Sequence, residues 1–168
     1  MFNVEKLREQ FPALNQKIHG SNLVYLDSAA TTLKPQAVID RVSHFYSLET
    51  ANVHRGAHYL SDLATTEFES ARETIRDFVN ASSIEEIIFT KGTTEGINLI
   101  ADSYGSNFLS AGDEIVITEL EHHANIIAWQ VLAEKKNCIL KYIPVFENGE
   151  IDLSTLDQLL TEKTKIVS

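Results

Sequence analysis

Lys91-Gly-Thr-Thr94 and Glu119-Leu-Glu-His-His123 carry the residue types best suited to chemistry in this chain. The first sets a flexible residue and two hydroxyls between an apolar run, Ile87-Ile-Phe89, and an apolar stripe of Ile97, Ile100, Ala101 and Tyr104 at helical spacing. That pattern predicts strand 86–90, a tight turn, and a helix over 94–104 with Thr93 or Thr94 at its N-cap. The first N–H groups of a helix lack intrahelical partners and lie at the positive end of the macrodipole. A phosphate fits there, held by backbone N–H groups and the threonine hydroxyls, and so does the plainer role of capping a helix. The second stretch offers two imidazoles. Neighbouring side chains in an extended segment point apart, so at most one of His122 and His123 faces a common ligand. A phosphate-bearing aromatic molecule would use both loops, its phosphate on the helix and its ring against one histidine.

Competing chemistries fit less well. His122 and His123 with Glu119 and Glu121 lack the helical spacing of a zinc-binding H-E-x-x-H, so no metal is expected. Gly92-Thr-Thr-Glu-Gly96 is neither a dinucleotide fingerprint nor a Walker loop. Cys138, the single cysteine, excludes an internal disulfide and reads as a structural thiol between a lysine-rich helix end and a strand. A third segment, 49–60, has neither helical nor strand periodicity yet holds His54, Arg55 and His58, and a solvated loop is its plain alternative.

The elements that position these loops follow from periodicity. Val4, Leu7 and Phe11 predict a short helix ended by Pro12; Gly20-Ser-Asn22 a turn; Leu23-Val-Tyr-Leu26 a strand. The small residues of Asp27-Ser-Ala-Ala-Thr-Thr32 let the backbone approach a ligand or another chain closely. Pro35, capped from the Thr31–Thr32 side, opens a helix to about Tyr46. Ala64, Phe68, Ala71, Ile75 and Phe78 mark a long helix from near Ser61 that stops before Asn80. Beyond residue 86 the pattern alternates: strand 114–118, a helix to about Lys136, strand 139–143, a turn at Asn148–Gly149, a short helix capped by Ser154, and a strand from Lys165. Repeated β-α-β units imply an α/β domain with a mostly parallel sheet, whose ligands collect at the carboxyl ends of the strands.

Composition limits the partners. A net charge of -10 argues against nucleic acid, whose binding depends on Lys and Arg, and leaves a helix N-terminus free to hold a small anion. The N-terminus has no signal-peptide apolar core, and no apolar run approaches the roughly 20 residues of a membrane span, so a cytoplasmic protein is expected.

Four motifs occur in order: Tyr25-Leu-Asp-Ser-Ala-Ala-Thr-Thr32, Asn52-Val-His-Arg-Gly-Ala-His58, Phe89-Thr-Lys-Gly-Thr-Thr-Glu-Gly-Ile-Asn98 and Glu121-His-His-Ala-Asn-Ile-Ile-Ala-Trp129. Together they closely resemble the group II (Suf-type) cysteine desulfurases, or selenocysteine lyases, of the class V aminotransferase group. Glu-His-His-Ala-Asn favours group II over the group I (Nif/Isc-type) branch. The resemblance covers essentially the whole chain. It implies a fold-type I enzyme dependent on pyridoxal 5′-phosphate (PLP), with residues 1–20 in the small domain and 21–168 forming the first half of the PLP-binding large domain.

The resemblance also implies roles. Gly92, Thr93 and Thr94 would bind the PLP phosphate, and His122 would stack on the pyridine ring and assist proton transfers. Ala29 and Ala30 would lie near the substrate carboxylate, and His54 and Arg55 would line the active-site entrance near a homodimer interface. The implied reaction removes sulfur from L-cysteine (or selenium from L-selenocysteine), giving L-alanine and an enzyme persulfide passed to a sulfur-acceptor protein for iron–sulfur cluster assembly. The family's Ser-x-His-Lys motif with its Schiff-base lysine, its Asp-x-A-Q motif, and its downstream persulfide cysteine do not occur in these residues. The chain is therefore expected to be an N-terminal portion, inactive alone. Kynureninase-like or aminotransferase-like members, and a non-catalytic fragment, are the alternatives.

Overall fold

The computed structural model describes residues 3–168, which divide into two compact units, residues up to Ile87 and residues from Ile88. In the first unit, Asn3 caps helix α1 (Val4–Arg8) through its side-chain oxygen, and Pro12 opens a 3-10 turn (Pro12–Asn15). Strands β1 (Lys17–Ile18) and β2 (Ser21–Asn22) form a minimal antiparallel hairpin. Its two-residue turn is His19–Gly20, both at positive φ (51° and 84°), the backbone twist that a tight hairpin requires. The predicted turn at 20–22 is thus one residue late. The predicted strand 23–26 is absent: the segment lacks a ladder partner beyond Leu23, whose N–H reaches Gln16 O at 3.0 Å, and Leu26 is 91% exposed.

Helix α2 (Gln36–His44) continues as a wider π turn (Phe45–Glu49), so the predicted end at Tyr46 falls inside it. Pro35 is itself the N-cap, without a side-chain cap; the Gln36 N–H is satisfied by Gln10 O at 2.8 Å and Thr32 Oγ1 donates to Ser28 O instead. Helix α3 (Tyr59–Val79) begins after His58, whose ring accepts from the Ser61 N–H, and ends at Asn80 in the left-handed conformation. The expected long helix is therefore present, with its start two residues earlier.

The second unit is built on a three-stranded parallel sheet of order β4-β3-β5: β3 (Glu114–Thr118), β4 (Ile139–Ile143) and β5 (Thr164–Val167). Ile115, Val116 and Ile117 of the central strand are fully buried. Such a run is the pattern of a strand covered on both faces, which explains why β3 was legible. Helix α6 (His123–Lys136) lays Ala128, Trp129, Leu132 and Ala133 against Ile115 and Ile117, and helix α4 (Thr93–Ile100) adds Ile97 to that core. α4 passes into a π turn (Ala101–Gly105) and a last short turn, α5 (Ser106–Phe108), where the sequence predicted one helix to 104. After the β4 strand, Asp152 rather than Ser154 caps the chain's next turn, its carboxylate accepting from the Ser154 N–H at 3.0 Å. A 3-10 turn (Leu153–Thr155) then runs into helix α7 (Leu156–Leu159). At the amino end of β3, the buried Glu114 pairs with Lys141 Nζ at 2.8 Å and accepts from the hydroxyls of Thr161 and Thr164. No helix among the described residues is long and apolar enough to cross a membrane.

Candidate functional site

The turn before α4 differs from its predicted form, and the difference matters for anion binding. Residues 87–90 lead into it in no assigned strand, and Glu86 belongs to a 3-10 turn (Ile84–Glu86) held by a capping box from Ser83, so strand 86–90 is not formed. Gly92, not a threonine, is the N-cap, in nearly fully extended backbone (φ 159°, ψ −179°). Thr93 and Thr94 fill the first two helical positions. Glu95, at the third, turns its carboxylate back to accept from the Lys91 N–H, just before the cap. This leaves both threonine hydroxyls without an intramolecular partner among the described residues, exposed at the positive end of an eight-residue helix. Open space surrounds Gly92, where an added Cβ would meet nothing within 4 Å. The donor set suits a phosphate: backbone N–H groups, two hydroxyls, and room for the anion. A dianionic ester at this turn fits the residues present.

His122 stands at the carboxyl end of β3, as the N-cap of α6. Its Nδ1 accepts from the Ala124 N–H at 3.1 Å. An acceptor nitrogen carries no proton, so a neutral ring holds its proton on Nε2, the edge turned away from the helix. His122 is exposed and His123 starts the helix beside it, the two rings edge to face at 5.8 Å and 86°. The rings are thus in contact and do not point apart as expected, because His122 is a helix N-cap and His123 the first helical residue, not neighbours in an extended strand.

Beneath His122 lies a polar chain that the sequence reading missed. Thr118 Oγ1, at the end of β3, donates to Glu121 Oε1 at 2.7 Å, and Glu121 Oε2 accepts from Asn125 Nδ2 at 2.8 Å. Asn125 Oδ1 then accepts from the buried Trp129 Nε1 at 2.8 Å and from Ser168 Oγ at 2.6 Å. Glu121, Asn125 and Trp129 repeat every four residues along one helical face, and that spacing was the available signal.

The remaining candidates lie in the first unit. Ala29 and Ala30 form an exposed turn closed by the N–H groups of Ala30 and Thr31 on Asp27 O, both at 3.2 Å. The segment 49–60 is irregular as expected, but it is tied down. His54, at φ 65°, is fixed by its N–H to Thr65 Oγ1 at 2.9 Å and by Nε2 to Glu69 at 2.7 Å. Ser61, 1% exposed, bridges Asn52 O and the Gly56 N–H, and an added Cβ on Gly56 would stand 2.5 Å from the Ser61 Cβ. Arg55 is exposed within the same turn. Cys138 is partly buried against the core, and burial, helped by Asp113, pushes its thiol pKa up, away from the thiolate a nucleophile needs. Among the described residues no three His, Cys, Asp or Glu side chains converge as a metal ion would need.

A parallel sheet with flanking helices and an anion-ready helix start beyond it is the architecture of fold-type I PLP-dependent transferases, here represented by the N-terminal part of their large domain. The chain belongs to the aminotransferase class-V family, which matches residues 24–168. It is 52% identical over 168 residues to a probable cysteine desulfurase of Vibrio cholerae, spanning 100% of this chain and 42% of that protein. A solved cysteine desulfurase from Thermococcus onnurineus is similar with a TM-score of 0.86 at 37% identity, over 99% of this chain and 40% of that one. One from Escherichia coli gives 0.78 at 37% identity, over 99% and 41%. The chain thus spans about two-fifths of the length of these relatives. Membership of this family carries PLP as the cofactor.

Proposed function

We propose that this chain supplies the PLP-phosphate and ring-stacking part of a group II (Suf-type) cysteine desulfurase. The whole enzyme removes sulfur from L-cysteine, or selenium from L-selenocysteine, giving L-alanine and an enzyme persulfide that a sulfur-acceptor protein takes for iron–sulfur cluster assembly. The observation that carries the reading is the pair of unpartnered hydroxyls on Thr93 and Thr94 at the start of α4, in a chain about half identical to named cysteine desulfurases. PLP, when bound, supplies an electron sink for the substrate carbon. The chain's own residues then have separate tasks. Gly92, Thr93 and Thr94 hold the phosphate and so fix where the ring lies. His122 offers one imidazole face to that ring, and its Nε2 is the edge free to carry a proton. Ala29 and Ala30, lacking bulk, leave room for the substrate carboxylate, and His54 and Arg55 line the entrance, their turn held by Glu69 and Thr65.

The same reading assigns residues 1–20 to the small domain and 21–168 to the large domain, in a cytoplasmic homodimer. It further holds that residues 1–168 alone do not turn over cysteine, because no Ser-x-His-Lys motif occurs among them to supply an amine to the cofactor aldehyde. The test compares the 168-residue chain with a protein of family length that contains it, measuring sulfide released from L-cysteine with PLP present. Release by the longer protein alone is expected. No release from the longer protein would sink the desulfurase reading; stoichiometric borohydride trapping of PLP on a lysine of the short chain, with turnover, would sink the division of labour.

A further inference from the structure

Glu121 and Asn125 flank His122 on either side in sequence and are joined to each other directly, Oε2 to Nδ2 at 2.8 Å. Each is also anchored elsewhere. Glu121 reaches back to Thr118 at the end of β3, and Asn125 holds Trp129, 2% exposed, and Ser168 just past β5. Ser168 is itself fixed, its N–H on Val116 O at 2.9 Å. The backbone of His122 is therefore clamped between two residues tied to two strands. That backbone has the extended N-cap geometry (φ −65°, ψ 146°) from which the ring can take the Ala124 N–H.

The geometry points to Glu121 and Asn125 as positioning residues for His122, setting both the orientation of its imidazole and the nitrogen that carries the proton. The consequence for the site rests on His122 facing the cofactor ring, but the positioning itself does not. With Nδ1 committed to the Ala124 N–H, the neutral ring is the Nε2–H tautomer, so a donor edge is presented outward before any ligand arrives. A histidine capping a helix without such a clamp would exchange cap and free rotamers and populate both tautomers. Glu121 is the more informative of the pair. Its removal cuts the link between β3 and the first turn of α6, yet leaves Asn125 holding Trp129 and Ser168, so the core side of the helix keeps its bonds.

The experiment records the imidazole ¹⁵N resonances of the full chain, without cofactor, in wild type, Glu121→Ala and the near-isosteric Thr118→Val, at a pH where the rings are neutral. Wild type should show widely separated Nδ1 and Nε2 resonances for His122, the pattern of one tautomer. In Glu121→Ala the two should collapse toward a common averaged value, while His19, His44, His54 and His58 of the first unit stay in place. Thr118→Val, which removes only the outer hydroxyl, should move them part of the way in the same direction; it decides the matter if Glu121→Ala does not fold. Ring resonances of His122 unchanged in the folded variants would overturn the assignment, as would equal movement of all six. Failure of the chain to bind PLP would count against the cofactor reading alone and leave this result standing.

Discussion

Replacing Thr94 by valine separates cofactor binding from folding. The substitution removes one hydroxyl and keeps a β-branched side chain of similar size. In the folded chain that hydroxyl is exposed and has no partner among the described residues, while the Thr94 carbonyl, which the change leaves alone, accepts from Asn98 Nδ2 at 2.8 Å. A surface change of this kind moves stability by less than about 0.5 kcal/mol. A hydrogen bond from the same hydroxyl to a phosphate dianion contributes roughly 1.5–3 kcal/mol. At about 1.4 kcal/mol per factor of ten, PLP should dissociate about 10–150-fold more readily from the variant. Equilibrium dialysis against PLP, with inorganic phosphate as competitor, reads the affinity, and a parallel urea titration reads the stability. An unchanged dissociation constant would refute the reasoning, and so would a loss of affinity matched by an equal loss of stability.

Three further outcomes follow from the same structure. In the protein of family length, His122→Ala should lower desulfuration by about 10²–10⁴-fold, the range of a lost proton-transferring group, with His123→Ala far milder; the reverse order in a sulfide-release assay would put the ring contact one residue on. Gly105→Ala should destabilise the second unit by about 1–3 kcal/mol, because the new Cβ would overlap Leu132 Cδ2 and stand 3.3 Å from Cδ1 of a side chain only 3% exposed; an unshifted urea midpoint would show that Leu132 can give way. The Lys141 ammonium, then the Thr161 hydroxyl, hold the Glu114 carboxyl below its usual 4.5, so the folded chain binds fewer protons there than the unfolded one. The stability this lends is present above pH 4.5 and is lost as pH falls through the lowered value, so urea midpoints should fall with acid more steeply for wild type than for Glu114→Gln. Parallel acid profiles would remove Glu114 from the account.

Strand β3 appeared in the sequence at its observed bounds, Glu114–Thr118, because a buried parallel strand selects a continuous apolar run. Strand β4 appeared at Ile139–Ile143 from its β-prone residues, although Ile143 alone of its five is buried. Long α3 followed from its repeating apolar face. Helix starts were less legible because any of several side chains can satisfy the same orphan N–H. At α4 Gly92 took the cap, and the Glu95 carboxylate reached backward to accept from the Lys91 N–H; at Leu153–Thr155 the acceptor was Asp152 and not Ser154. Of the candidate site, a turn carrying Thr93 and Thr94 ahead of a helix could be read from residue types. The Thr118–Glu121–Asn125 chain could not be read in the same way, because it depends on where β3 ends relative to α6.

The two strands that did not form expose a different limit. Leu23–Leu26 and 86–90 have the composition of strands, yet neither forms one, with Val24, Leu26 and Ile88 at 74%, 91% and 65% exposure. A β-prone run specifies only that the backbone will extend; pairing needs a second strand in register, and side-chain burial needs a face to meet. The central strand β3 has both, with partners on either side, and its side chains from Ile115 to Ile117 are sealed from solvent. The stretch 87–90 forms no strand, although it leads straight into Gly92, Thr93 and Thr94. Local contacts shape the anion-ready turn: the Lys91 N–H on the Glu95 carboxylate, Thr90 Oγ1 to Gly92 O at 3.2 Å, and the first turn of α4. The precision of such a site depends on how firmly residues 87–90 are held, because half an ångström or so of slack is enough to weaken a preorganised phosphate cradle.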